Sequence, residues 1–390
     1  MKLNPGLGDG AQKPATLMNP FGFKFNSFPA QGGVPLDVLR SWQIRVLPRI
    51  GRDSRSCLRQ SLVVCCLLFA VCSSTASASS GAWTRQNSAS LSWLHGLFFL
   101  DQSRGWAAGS RGTLLSTTDS GKTWQKKTQP TEDAIRDIYF SDEDNGWLVC
   151  ERNIYDLRSN NEPRAYLLKT NDGGQHWSRV NMRGATADAR LTRAIFSRSG
   201  RGWTFGEGGA IYTTNDSGEN WLRLQTPTRY LLLGGAFIDE NSGWVVGAGS
   251  TILQTSDGGE TWHESRLPNA AKVRFNSTSF VDARLGWAVG SGGAIYRTIN
   301  GGRSWHPQIS GVTGDLFDVK FVDAVEGWAV GAEGTVLYTN DGGSHWTSEP
   351  SGTPHALERI FFADRTHGWA VGFGGTIIAY GRAQAPRLRR

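Results

Sequence analysis

The sequence predicts an all-β fold: a seven-bladed β-propeller of four-stranded antiparallel blades, closed by an N-terminal strand. Three observations carry that prediction. The dipeptide Gly-Trp recurs at 105–106, 146–147, 202–203, 243–244, 286–287, 327–328 and 368–369, with spacings of 41, 56, 41, 43, 41 and 41 residues. A period near 41 is in the range of propeller blades. A second motif, Thr-x-Asp-x-Gly-x-x-Trp, occurs six times, centred on Asp119, Asp172, Asp216, Asp257, Asn300 and Asp341. Finally, the seventh unit runs out after Ile377–Tyr380, while Ala82-Trp83-Thr84-Arg85-Gln86 matches the segment that follows each Asp turn. The N-terminal strand is thus expected to complete the last blade and hide two sheet edges.

Composition agrees with this reading. The 390 residues include 49 Gly and 16 Trp, and only 19% are charged. Such a chain is globular, with short strands and tight turns. The net charge of +7 is misleading. Residues 1–78 hold nine of the 41 Lys/Arg and three of the 34 Asp/Glu, which leaves 32 bases and 31 acids for the rest. Four of those bases, Arg382, Arg387, Arg389 and Arg390, fall in the last nine residues, so the body is slightly acidic. Nucleic-acid binding is not expected. Four of the five cysteines precede residue 73, and Cys150 is alone in the repeat region. Neither a disulfide nor a cysteine-based metal site can form within it.

In chain order, residues 1–56 lack periodicity and are expected to be a disordered or non-native extension. Arg52, Arg55 and Arg59, the apolar run Leu62–Cys72 and the Ala76-Ser77-Ala78 site predict a signal peptide over 57–78 and an exported protein. The run is too short to span a bilayer, so no integral span is expected once the signal is removed. The propeller is expected over 79–381 and a basic tail over 382–390. In the sixth unit, Leu316–Phe321, Trp328–Val330, Thr335–Thr339 and His345–Ser348 read as four strands of a meander. One such sheet cannot bury its faces alone, but seven packed radially can. The single long interval carries an insertion, roughly Glu151–Arg164, that lengthens one loop.

Within the Asp motif, the carboxylate can accept backbone N–H bonds of its own turn, Gly supplies φ > 0, and Trp packs back between sheets. Asn300 can form the same turn. Repetition makes these six residues structural, since catalysis needs one constellation and not six copies. The motif resembles the Asp-box of sialidases, sortilin-type receptors and related propellers, in which it sits on the outer rim. Together with Gly286–Gly290, Gly327–Gly331 and Gly368–Gly372, each preceded by Phe-x-Asp, it resembles the Ycf48/Hcf136-like photosystem II stability/assembly factors over residues 82–380. That resemblance implies a non-enzymatic lumenal or periplasmic factor that holds membrane-protein intermediates, with an arginine-rich docking surface.

Nine Arg lie between residues 152 and 201. Counting back from each Gly-Trp, Arg136, Arg193 and Arg359 fall ten or eleven residues before their Trp, and Arg274 falls thirteen before. These four are the candidate partner-binding residues, since Arg pairs bidentately with acidic side chains. A sialidase-like glycoside hydrolase or a carbohydrate-binding propeller is the alternative. It would need an Arg cluster, an Asp acid/base and a Tyr–Glu pair on one face. The Arg-Ile-Pro-type motif is absent and the loops are uniformly short apart from one. No Gly-x-Ser-x-Gly accompanies the seven His, and no P-loop is present. The expectation is a monomeric protein-binding scaffold with no catalytic, cofactor or metal residues.

Overall fold

The computed structural model describes residues 81–382, apart from 154, 156, 158–162, 184–188, 266, 269–271 and the side chain of Arg382. The proposed extension, signal peptide and nearly all of the basic tail lie outside the described residues. Within them, seven antiparallel sheets form a closed propeller. Blade 1 is Leu94–Phe99, Gly105–Gly109, Leu114–Thr117 and Gln125–Lys126, from the axis outward. Blades 2 to 6 repeat that order. Their innermost strands are Ala134–Phe140, Leu191–Phe196, Leu232–Phe237, Phe275–Phe280 and Leu316–Phe321.

Blade 7 is completed as expected. Leu357–Phe362, His367–Gly372 and Ile377–Arg382 are joined by Gly81–Gln86, with Trp83 opposite Tyr380. One element was not foreseen. Asn181–Arg183, in the passage from blade 2 to blade 3, pairs parallel with Asn220–Leu224 and adds a fifth strand to blade 3.

The core consists of seven hydrophobic clusters, and each one lies between two neighbouring blades. The repeat motif explains them. Each Gly-Trp indole lies against the Phe that ends the innermost strand of the next blade. Trp287 stacks on Phe321 at 3.5 Å, Trp244 on Phe280 at 3.6 Å and Trp369 on Phe99 at 3.6 Å. The Trp of the Asp turn meets the same Phe edge-on, as Trp346 does with Phe321 at 5.8 Å and 89°. Every seam is therefore a Trp–Phe–Trp sandwich of large apolar area and favourable ring geometry. In blade 7 the edge-on partner of Phe362 is Trp83, at 6.0 Å and 86°. Gly before Trp is dictated by the same ring. A Cβ on Gly286 would lie 2.3 Å from Phe280.

The Asp turns close on themselves. Asp119 Oδ1 accepts from Thr123 N at 2.9 Å and Thr117 Oγ1 at 2.8 Å, and Thr117 Oγ1 accepts from Gly121 N at 2.9 Å. Gly121 sits at φ +82°, a conformation costly for other residues. The Thr123 hydroxyl and then its amide hold the Asp119 carboxyl at about 2. Asn300 makes the same bonds, its Oδ1 accepting from Ser304 N at 3.0 Å and from Thr298 Oγ1 at 3.0 Å.

The turns also lock neighbouring blades. Trp203, Trp244, Trp287 and Trp369 each donate Nε1 to a carbonyl of the next blade's Asp turn, at 2.8–2.9 Å. Trp328 precedes blade 7, whose outer strand comes from Gly81–Gln86 and brings no Asp turn. Its buried Nε1 has no hydrogen-bond partner.

Candidate functional site

The innermost strands line the axis, and each carries a β-bulge near its start. A bulge inserts one extra residue and re-aims its side chain. The seven inserted residues are His95, Arg136, Thr192, Leu233, Asn276, Phe317 and Glu358, each eleven before its Gly-Trp indole. All seven, with Arg190, Leu191 and Arg359, line a cavity of ≈ 190 Å³ at one mouth of the channel. This mouth is on the side of the 3-10 turns that join the second and third strands. The Asp turns lie at the opposite ends of the strands.

One residue further along each strand lies a second ring: Gly96, Asp137, Arg193, Gly234, Ser277, Asp318 and Arg359. The small members leave room for Arg193 of blade 3 to cross toward blade 6. Its guanidinium reaches Asp318 Oδ1 at 3.0 Å. Asp318 also accepts from Ser277 Oγ at 2.5 Å and from Ile360 N at 3.1 Å. Asp137 Oδ2 accepts from Ala194 N at 3.0 Å. Burial works against ionisation of Asp318, but Arg193 and Arg359 win and hold its carboxyl below the usual range. For Asp137, burial dominates over the same two arginines and pushes the carboxyl up. This charged plug divides the channel into two vestibules.

The four candidate arginines therefore occupy three environments. Arg193 and Arg359 are inside the channel and cannot reach a partner's surface as exposed forks. Arg136 is one-third exposed at the mouth, with Nε 2.5 Å from Glu151 Oε2. Arg274 stands half exposed on the same face and pairs with Asp315 at 2.7 Å. They do not converge on one patch. Of the four, Arg136 and Arg359 line the mouth.

The structure adds residues that motif counting missed. Arg190 lines the mouth, its Nε is buried without a hydrogen bond, and no ion pair is formed by it among the described residues. His95 is buried in the same cavity beside Arg136, with Nε2 3.1 Å from Ser110 Oγ and 3.3 Å from Arg136 Nη1, and Nδ1 3.5 Å from Glu358. Burial lowers the His95 pKa from its ordinary value against the pull of Glu358. Glu358 stays below its ordinary value despite burial because His95 and Arg359 face it. Beside His95 lies an exposed aromatic shelf. The Trp93 ring is 5.3 Å from both His95 and Phe373, and Leu91 is almost fully exposed nearby.

The two ends of the insertion lie on this face, where Arg152 N donates to Arg164 O at 2.8 Å between the second and third strands of blade 2. A larger cleft of ≈ 830 Å³ lies there, lined by Arg111, Glu132, Arg136, Glu151, Arg152 and Arg164 among others. Arg136 lines both cavities, so they adjoin. Buried Glu151 holds both Arg136 and Arg164, the latter at 2.8 Å. Other arginines of the 152–201 cluster are used locally: Arg179 lies over the Tyr166 ring at 4.2 Å, and Arg201 donates to Gly258 O.

Three further histidines are engaged in turns. His176 and His345 bond their own Asp-turn carboxylates at 2.7 Å, and His367 bonds Asp364. Cys150 is buried, and burial pushes its thiol up. Among the described residues no group of three or more His, Cys, Asp or Glu could hold a metal, and no helix is long and apolar enough to cross a membrane.

Comparisons with known proteins fit this geometry. A chloroplastic photosystem II stability/assembly factor of Arabidopsis thaliana is 30% identical over 128 residues, which is 31% of this chain and 28% of that protein. The match thus spans less than a third of that relative's length. A solved structure described as YCF48 bound to D1 peptide shares 21% identity and a TM-score of 0.63, covering 78% of this chain and 98% of the other. Virginiamycin B lyase of Staphylococcus aureus has the same TM-score at 13% identity, covering 77% and 99%, so the fold also hosts enzymes. The model of the photosynthesis system II assembly factor YCF48 family matches residues 128–231, 223–313 and 306–381. Those matches span well over half of the sequence, and the chain belongs to that family.

Proposed function

We propose that this protein is a non-catalytic, exported scaffold whose arginine-bearing mouth docks a segment of a membrane-protein assembly intermediate. The observation that carries the reading is Arg190. It is a mouth arginine with no carboxylate partner among the described residues, and it lines the same cavity as Arg136, Glu358 and Arg359. A partner carboxylate meets a donor here that need not first be freed from an ion pair. The Trp93–Phe373 shelf beside His95 supplies apolar area of the kind on which interfaces rest. A relative of the same fold is described with a bound D1 peptide, which supports a protein segment as the occupant. Family membership supports an assembly role, and the N-terminal sequence pattern supports export.

The test is co-purification. A tagged wild-type chain is expected to bring down a membrane-protein assembly intermediate from its native envelope, and Arg190→Glu is expected to lose it while retaining the native circular dichroism spectrum. Failure of the wild type to retain any intermediate, with turnover on a glycoside panel, would overturn the reading.

A further inference from the structure

The vestibule on the Asp-turn side has a different chemistry. It is a cavity of ≈ 280 Å³ floored by Arg193, Asp318, Asp137 and Arg359. Its walls come from the residues eight before each Gly-Trp indole: Phe98, Tyr139, Ile195, Ala236, Ser279, Lys320 and Phe361. Phe98 is central to the aromatic arc, 4.9 Å from Tyr139 and 5.5 Å from Phe361. The one cation in this ring is Lys320.

Lys320 is poorly served by its surroundings. No hydrogen bond or ion pair to its ammonium is formed among the described residues. Asp318 is the near carboxylate, and its oxygens already serve Arg193, Ser277 Oγ, Val319 N and Ile360 N. Burial accordingly lowers the lysine's affinity for its proton, with only Asp318 opposing. An ammonium held among aromatic walls, with its charge unneutralised, is stabilised when an anion enters. The vestibule is small and preformed, with an aromatic arc on one side and the plug's charged groups and Lys320 on the other, so a ligand with one ring and one anionic group matches both parts of its lining. Its volume suits a single ring and not a larger body.

We infer that this vestibule binds a small aromatic carboxylate, with the carboxylate on Lys320 Nζ and the ring against Phe98, Tyr139 and Phe361. The site is independent of the docking mouth, from which the Arg193–Asp318 plug separates it. The carboxylate could belong to a free acid or to the aromatic C-terminal residue of a peptide, and the two are distinguishable.

The experiment is a ¹⁹F NMR titration with 4-fluorobenzoate for the free acid and N-acetyl-4-fluorophenylalanine for the chain terminus. At least one probe is expected to bind wild type saturably, and the tighter binder identifies the source. Lys320→Met is expected to weaken binding by about tenfold or more, Lys320→Arg by about threefold at most, and Arg190→Glu not at all. In parallel, the bound probe is expected to protect Lys320 from acetylation, read by peptide mass spectrometry on unaltered protein. Absence of saturable binding of both probes to wild type, equal affinity in Lys320→Met, or unchanged acetylation of Lys320 would each overturn the assignment.

Discussion

Closure of the ring by residues 81–86 makes a quantitative prediction at Trp83. Its indole is 8% exposed, meets Phe362 edge-on at 6.0 Å, lies 5.3 Å from Tyr380, and donates Nε1 to Glu349 at 3.0 Å. Trp305 holds the equivalent place at Phe280, 1% exposed and 5.9 Å from the ring at 86°. Burying an indole removes about 200 Å² from water, which at about 25 cal/mol per Å² is roughly 5 kcal/mol before the residual side chain is discounted. Truncation to Ala in measured series costs about 3–5 kcal/mol. Trp83→Ala and Trp305→Ala are therefore both expected to cost about 3–5 kcal/mol, within about 1.5 kcal/mol of each other. Urea denaturation followed by far-ultraviolet circular dichroism measures both. A loss below about 1 kcal/mol for Trp83→Ala beside a full loss for Trp305→Ala would show that the N-terminal strand is not a structural equal of the other outer strands.

Three further outcomes follow from the same geometry. Trp287→Phe is expected to lose about 1 kcal/mol with the Nε1 bond to Gly342 O, whereas Trp328→Phe loses no such bond and is expected to cost less; paired denaturant melts compare them. Asp318→Ala leaves Arg193 buried without its partner and is expected to cost about 3–5 kcal/mol, while Asp318→Ala combined with Arg193→Met is expected to recover much of that loss in the same melts. The Asp119, Asp216 and Asp257 carboxyls are held at about 2 in the folded state, below their ordinary value. For Asp119 hydrogen bonds from Thr123 are the leading cause; in the other two the turn's hydrogen bonds overcome burial. The stability they contribute is fully present above pH about 4 and is lost as pH falls toward 2, since the unfolded chain takes up the protons first. An acid titration of wild type beside Asp257→Asn is expected to show a shallower loss of stability in the variant over that window.

The architecture was legible because its determinants are local and repeated. Gly286 is excluded from any other identity by Phe280, Gly121 by its positive φ, and Asp119 by its own turn, so each blade writes the same letters. Closure was legible for the same reason, since Trp83 must do for Phe362 what Trp305 does for Phe280. The site was less so, because a single residue of offset decides it. Arg136 is eleven before its indole and sits in the bulge, facing the mouth. Arg193 and Arg359 are ten before theirs and sit inside the plug. Arg274 precedes its strand altogether. Grouping ten with eleven merged two rings that the bulge separates. Aligning all seven units at each offset would have exposed the alternation of Asp137, Arg193, Asp318 and Arg359, and the lone Lys320 two positions further on. Arg190 carries no repeat signal, since it precedes the strand and is placed by the chain's path into blade 3.

The proposed docking mouth is tested most directly by fluorescence anisotropy with a labelled peptide taken from the membrane-protein intermediate that the wild-type chain retains. Titrations of wild type and three variants localise the interaction: Arg190→Glu at the mouth, Lys320→Met in the opposite vestibule and Asp257→Ala on the Asp-turn rim. Binding to wild type, weakened about tenfold or more by Arg190→Glu alone, is the predicted result. Equal affinity of Arg190→Glu and wild type, or a loss confined to either of the other two variants, would contradict it.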